Sequence, residues 1–124
     1  MTRVLIAKDS PHIRESLAGL LAGELDMELV GEAGDGLEAI EKANALCPNV
    51  VIMDAQMPRL DGVEASRHIK KHLPGAGVLF FSVFTDYVEA SIAAGSDGYV
   101  TKDCSAAELF CEIRRIAANY GANA

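Results

Sequence analysis

Two aspartates, a serine and two lysines sit at or just beyond the ends of apolar runs in this sequence. Lys8-Asp9 follow Val4–Ala7, Asp54 follows Val50–Met53, Ser82 lies near the end of Val78–Val83, and Lys102 follows Gly98–Thr101. Singly, each has an ordinary explanation. An aspartate after a strand often caps a helix or forms a turn. A lysine there can be a solvated surface group, and a serine a satisfied hydroxyl. Asp54 fits the capping explanation least well, because Ala55-Gln56-Met57-Pro58 delays the next helix signal to Asp61. Together the set suits phosphoryl chemistry. Two carboxylates in hydrogen-bonding range repel by about 4 kcal/mol at an effective dielectric of ~20, and a divalent cation relieves that repulsion. Mg²⁺ favours one or two carboxylates alongside waters and phosphate oxygens. A carboxylate can attack phosphorus and hold an aspartyl phosphate. An ammonium and a hydroxyl can then bind the phosphoryl oxygens.

These residues can cooperate only if one scaffold brings them to a common edge. The apolar runs Val4–Ala7, Glu28–Ala33, Val50–Met53, Val78–Val83 and Gly98–Thr101 alternate with five helix candidates. Three runs are almost wholly apolar, as strands covered on both faces are. The second and the last are shorter or more mixed, as edge strands can be. The first helix begins at Ser10-Pro11, a cap residue with proline at the first helical position. Ile13, Leu17, Leu20 and Leu21 then form its apolar stripe. The other helices share a start signal: Asp35 before Glu38, Asp61 before Glu64, Asp86 before Glu89, and Ser105 before Glu108. Each pairs a cap with a carboxylate three residues on that can reach back to the cap's N–H. Gly95 and Gly121 stand where the fourth and fifth helices should stop. Strict β-α alternation implies a parallel sheet with right-handed crossovers and helices on both faces. Ligands of such sheets bind beyond the carboxyl ends of the strands, which is where the candidate residues fall. Periodicity leaves the strand order open between a flavodoxin-like arrangement and another doubly wound one.

The totals are consistent with one domain spanning 1–124. A chain of 124 residues buries roughly two-thirds of its unfolded surface, enough for one unstapled core. No apolar run approaches the ~18 residues of a membrane span, so no membrane role is expected. The net charge of −7 argues against direct nucleic-acid binding. Cys47, Cys104 and Cys111 form no CxxC pair and read as free thiols of a reducing, cytoplasmic compartment. His68 and His72 are spaced i, i+4 without a third ligand, and read as a solvated face rather than a zinc site.

Lys8-Asp9-Ser10-Pro11, Val51-Ile52-Met53-Asp54-Ala55-Gln56-Met57-Pro58, Asp61-Gly62, Ser82 and Gly98-Tyr99-Val100-Thr101-Lys102-Asp103 resemble the receiver domains of bacterial two-component response regulators. The resemblance covers essentially the whole chain. Gly31-Glu32-Ala33 and the last stretch look most like the NarL/FixJ subfamily, which carries a LuxR-type helix-turn-helix. The resemblance implies a CheY-like (βα)5 sheet of order 2-1-3-4-5, with Asp54 as phosphoacceptor. It implies Mg²⁺ bound by Asp9, by Asp54 and by the backbone carbonyl of Gln56. It implies contacts from Ser82 and Lys102 to the phosphoryl group, and Tyr99 as a rotameric switch. The phosphodonor would be a sensor histidine kinase or a phosphotransfer protein, and the output regulation of transcription. Such domains do no chemistry beyond self-phosphorylation and self-dephosphorylation, and many form homodimers through the fourth and fifth helices. Two expectations stand for what lies past Asn119-Tyr120-Gly121: a single-domain regulator, or, as the subfamily likeness favours, a longer transcription factor whose DNA-binding domain would follow.

One residue departs from that pattern. Most receivers carry two acids after the first strand, and here the first is Lys8. The replacement changes the local charge by two units. It is expected to weaken Mg²⁺ binding and to pair Lys8 with Asp54 in the resting state; the alternative is a Lys8 that points to solvent. Lys8 also supports a competing reading, a pseudo-receiver that binds proteins without phosphorylation. The loop after Ser82 looks about two residues short for the subfamily, with Phe84 and Thr85 where polar residues are usual. An aspartyl phosphatase would carry Asp-x-Asp, whereas Gln56 occupies the second position. A flavin carrier would carry a hydroxyl-rich loop after the first strand, which is missing.

Overall fold

The structure, a computed structural model, describes residues 1–82 and 88–120. Its strands are β1 (Thr2–Ala7), β2 (Met27–Ala33), β3 (Val50–Met53), β4 (Gly77–Ser82) and β5 (Gly98–Thr101). Its helices are α1 (Pro11–Ala22), α2 (Gly36–Leu46), α3 (Gly62–His72), α4 (Val88–Ala93) and α5 (Ala106–Asn119). The strands form one parallel sheet in the order β2-β1-β3-β4-β5. That order closes the question which periodicity left open. It also makes β1 and β3 neighbours, with Ala7 opposite Met53. The two mixed apolar runs are indeed the edges.

Side chains alternate across the central strands with the period of two that a strand imposes. Leu5 and Ala7, Val51 and Met53, and Val78 and Phe80 join one core with residues of α2 and α3, among them Ala39, Ala43, Ala65 and Ile69. Val4 and Ile6, Val50 and Ile52, and Leu79 and Phe81 join the other with Leu17 and Leu21 of α1 and with Leu109, Ile113 and Ile116 of α5. β1, β2 and β4 begin slightly earlier than the apolar runs, while β3 and β5 begin with theirs. Thr2 and Arg3 pair with Met27 and Glu28, and polar residues at a strand's start leave no hydropathy signal.

The caps fall where expected. The side chains of Ser10, Asp35, Asp61 and Ser105 accept from the backbone N–H groups of Ile13, Glu38, Glu64 and Glu108. The reach-back of the carboxylates differs from expectation. Glu38 accepts from Gly34 N–H at 2.6 Å and Glu108 from the Ser105 hydroxyl at 3.3 Å, while Glu64 turns to Arg67. Each of these carboxylates meets a donor other than the cap's own N–H. Gly95 follows α4 in left-handed backbone at φ 91°, the conformation glycine adopts without steric cost. The cap at Asp86, the loop residues Phe84 and Thr85, the end of the run at Val83, and Gly121 lie outside the described residues.

At the far end of the sheet, the last turn of α5 is tied down. The Tyr120 hydroxyl donates to Asp97 and accepts from Lys70 Nζ at 2.6 Å. Lys70 also pairs with Asp97 at 3.2 Å. The three cysteines are free, and His68 and His72 stack on the exposed face of α3. Among the described residues, no helix is long and apolar enough to cross a membrane.

Candidate functional site

Parallel β1, β3, β4 and β5 all end at one rim, and the candidate residues meet there. Asp9, Asp54, Gln56, Met57, Pro58, Ser82 and Lys102 line an open cavity of about 460 Å³. The backbone fixes their placement strand by strand. Asp54 N–H donates to the Ala7 carbonyl at 2.9 Å, which docks the end of β3 on β1. Lys102 N–H donates to the Ser82 carbonyl at 3.1 Å, which docks the end of β5 on β4. Ser82 is buried, Asp9 is exposed, and Asp54 and Lys102 are half-buried.

Gly62 explains why Asp61-Gly62 accompanies the site. Its N–H donates to the Ala55 carbonyl at 2.9 Å. A Cβ on Gly62 would lie 1.7 Å from the Asp54 carbonyl oxygen. Only a residue without a side chain lets the start of α3 close over the backbone of Asp54. The loop between β3 and α3 is braced a second time, by Arg59 against Asp35 at 3.1 Å. The Asp35 carboxyl is held below its ordinary value chiefly by the Glu38 backbone N–H; burial opposes this, and Arg59 adds to the lowering.

Lys8 does not point to solvent. Its side chain is 0% exposed, and Nζ lies 3.6 Å from Asp54 Oδ2. Nζ also donates to the Phe81 carbonyl and rests 4.7 Å from the centre of the Phe81 ring. One ammonium therefore joins the carboxyl ends of β1, β3 and β4. Burial pushes Lys8 down from 10.5 to about 8, and the Asp54 carboxylate opposes that shift. The backbone behind it is held by Arg14, whose guanidinium donates to the Lys8 carbonyl at 2.6 Å and pairs with Glu32 at 3.5 Å. Arg14 and the Phe81 carbonyl carried no signal in the sequence. Neither a helical arginine nor a backbone oxygen stands out before the topology is known.

Tyr99 is not among the residues lining the cavity. It stacks on Phe80 at 5.9 Å between ring centres. With Val100, Ala107, Glu108, Cys111 and Glu112 it lines a separate hollow between β5 and α5.

The donor set suits a small hard cation in kind. Asp9 and Asp54 supply carboxylate oxygens, and Gln56 lines the same cavity; Mg²⁺ takes one or two carboxylates and fills the remaining positions with water and phosphate oxygens. Among the described residues, no group of three His, Cys, Asp or Glu side chains is disposed to hold a metal. Such an ion would rest on those two carboxylates, beside the positive charge of Lys8.

The chain matches the response regulator receiver domain family over residues 4–114. It is 39% identical over 117 residues to the transcriptional regulatory protein YxjL of Bacillus subtilis, covering 93% of this chain and 54% of that protein. It is 37% identical over 115 residues to the response regulator VraR of Staphylococcus aureus, covering 91% and 55%. The chain thus spans about half the length of these curated relatives. Among solved structures, it resembles the response regulator domain of Thermotoga maritima CheB, with a TM-score of 0.90 and 35% identity over 95% of this chain and 97% of that one. It also resembles a LuxR-family DNA-binding response regulator from Staphylococcus aureus, with a TM-score of 0.88 and 32% identity over 94% and 99%.

Proposed function

The chain belongs to the response regulator receiver domain family, and from that premise we propose that it is a phosphorylation switch that accepts a phosphoryl group on Asp54. Receiver domains are signalling modules rather than typical enzymes, and they generally bind Mg²⁺ at their acidic pocket. The observation that carries the proposal is the single cavity lined by Asp9, Asp54, Ser82 and Lys102. Asp54 is the nucleophile. Lys102 and Ser82 bind the phosphoryl oxygens by charge and by hydrogen bond. Asp9, Asp54 and the Gln56 carbonyl hold Mg²⁺, weakly beside Lys8. When bound, the ion offsets the charge on the phosphoryl oxygens.

Phosphorylation adds roughly −1.5 to −2 charges and three acceptor oxygens at this rim. Ser82 and Lys102 are drawn towards them, and Tyr99 on the neighbouring strand rearranges as the switch. The donor is a sensor histidine kinase or phosphotransfer protein in the cytoplasm. The output is transcription, as the LuxR-family relatives suggest, through a DNA-binding domain beyond this one and homodimers on the α4 and α5 faces.

Incubation with acetyl phosphate and Mg²⁺, read by intact mass, tests the proposal. One added phosphoryl group on the chain and none on Asp54→Asn is the expected result. The buried Lys8–Asp54 pair favours a second reading, a pseudo-receiver that binds protein partners without phosphorylation. Absence of any added group, with or without Mg²⁺, would decide for it.

A further inference from the structure

We propose that Lys8 is the resident cation of this site, and that its ammonium lets Asp54 accept a phosphoryl group without a divalent metal ion. The inference rests on Asp54 being the phosphoacceptor and adds how its charge is managed. Three observations carry it. The ammonium is fully buried and 3.6 Å from Asp54 Oδ2, so it neutralises the carboxylate from the protein side and leaves the cavity side open. It is fixed rather than mobile, since it donates to the Phe81 carbonyl and packs on the Phe81 ring. Finally, the ionised groups Lys8, Asp9, Asp54 and Lys102 sum to zero. A site with an acid at position 8 would sum to −2, and that surplus is what calls for a divalent cation. Here the surplus does not exist.

The reaction follows from the geometry. With Oδ2 held by Lys8, Oδ1 of Asp54 is the oxygen left to attack. Its electron pair forms the new O–P bond while the bond from phosphorus to the donor oxygen of acetyl phosphate breaks. The pair from the broken bond leaves on acetate. No proton moves, and the product is the acyl phosphate of Asp54. Lys8 stays on the non-attacking oxygen, and Lys102 meets the phosphoryl oxygens from the cavity side.

The test compares labelling by acetyl phosphate in excess EDTA with labelling in Mg²⁺, by intact mass, for the whole chain, Lys8→Asp and Lys8→Met. Mg²⁺ binding by each protein is measured separately by calorimetry. The chain is expected to label in EDTA at nearly its rate in Mg²⁺. Lys8→Met is expected to lose about a hundredfold of the EDTA rate, the usual effect of removing one electrostatic contact to the reacting group. Lys8→Asp is expected to label only with Mg²⁺ and to bind the ion more tightly than the parent. Labelling of the parent that disappears in EDTA would overturn the inference and leave Asp54 as phosphoacceptor. No labelling under either condition would overturn both.

Discussion

Replacing Lys8 by methionine should make the protein more stable at neutral pH, even though it removes an ion pair. Each factor of ten in proton affinity is 1.36 kcal/mol. The fall from 10.5 to about 8 therefore means that carrying this charge in the fold costs about 3 kcal/mol relative to the unfolded chain, with the attraction of Asp54 already included. Methionine keeps the length and volume of the stem and carries no charge. It forfeits the hydrogen bond to the Phe81 carbonyl, a loss of about 1–2 kcal/mol. The balance is a gain of about 1–2 kcal/mol, or about 4–8 °C in Tm for a domain of this size. The pH dependence supplies the sharper check. The folded value lies below the unfolded one, so between pH 8 and 10.5 the unfolded chain binds the extra proton. The parent therefore gains stability as pH rises through that window, while Lys8→Met does not, so the advantage of Lys8→Met disappears and by pH 10.5 the parent is the more stable of the two. Thermal melts of both proteins in metal-free buffer at pH 7 and pH 10.5, followed by circular dichroism, measure it. A lower Tm for Lys8→Met at pH 7, or a gap that does not change with pH, would refute the reasoning and make the Asp54 pair dominant over burial.

Two further substitutions probe the loop that carries Asp54. Gly62→Ala would drive a methyl group into the Asp54 carbonyl. It should cost about 3 kcal/mol in urea unfolding and reduce acetyl phosphate labelling, because the backbone of Asp54, the proposed phosphoacceptor, has to move; wild-type stability in this variant would show that the contact is not needed. Asp35→Asn keeps a capping oxygen for α2 but loses the charge that Arg59 meets. The Asp35 carboxyl is held below its ordinary value of 3.8, so its contribution is present above that pH and disappears as pH falls through the lower folded value. The variant should be less stable than the parent at pH 7 and equal to it in acid, as read from melts along a pH series.

The architecture was legible because hydropathy and capping agreed. Asp35, Asp61 and Ser105 marked helix starts by residue types that satisfy free backbone N–H groups, and unbroken apolar runs marked the strands buried on both faces. Strand order is a long-range property. Nothing in Val4–Ala7 or Val50–Met53 states that the two lie side by side, and only the family resemblance supplied that order before the structure did. At the site, the types of Asp9, Asp54, Ser82 and Lys102 suited phosphoryl chemistry, and the rim gathers all four. The environment of Lys8 was half legible. Its charge stood out beside Asp9, and pairing with Asp54 was one of two expectations. Its anchor is a carbonyl 73 residues away, and main-chain oxygens look the same in every sequence. Tyr99 was assigned by resemblance alone, and its stacking on Phe80 is a packing result that spacing does not encode.

The placement of α5 bears on how the polypeptide is made. Leu109, Ile113 and Ile116 fill the core on one face of β1, β3 and β4, and Tyr120 locks to Lys70 and Asp97. A nascent chain that has emerged only as far as β5 holds all five strands, with α1 covering the β1 side of that face and the part over β3, β4 and β5 still bare. Synthesis proceeds at roughly 5–20 residues per second, so the gap before residue 120 clears the ribosome is on the order of a second. For that interval the apolar face is open to chaperones, or to another unfinished copy on the same polysome. Completion of the domain is thus timed by its last helix, whatever sequence is translated after it.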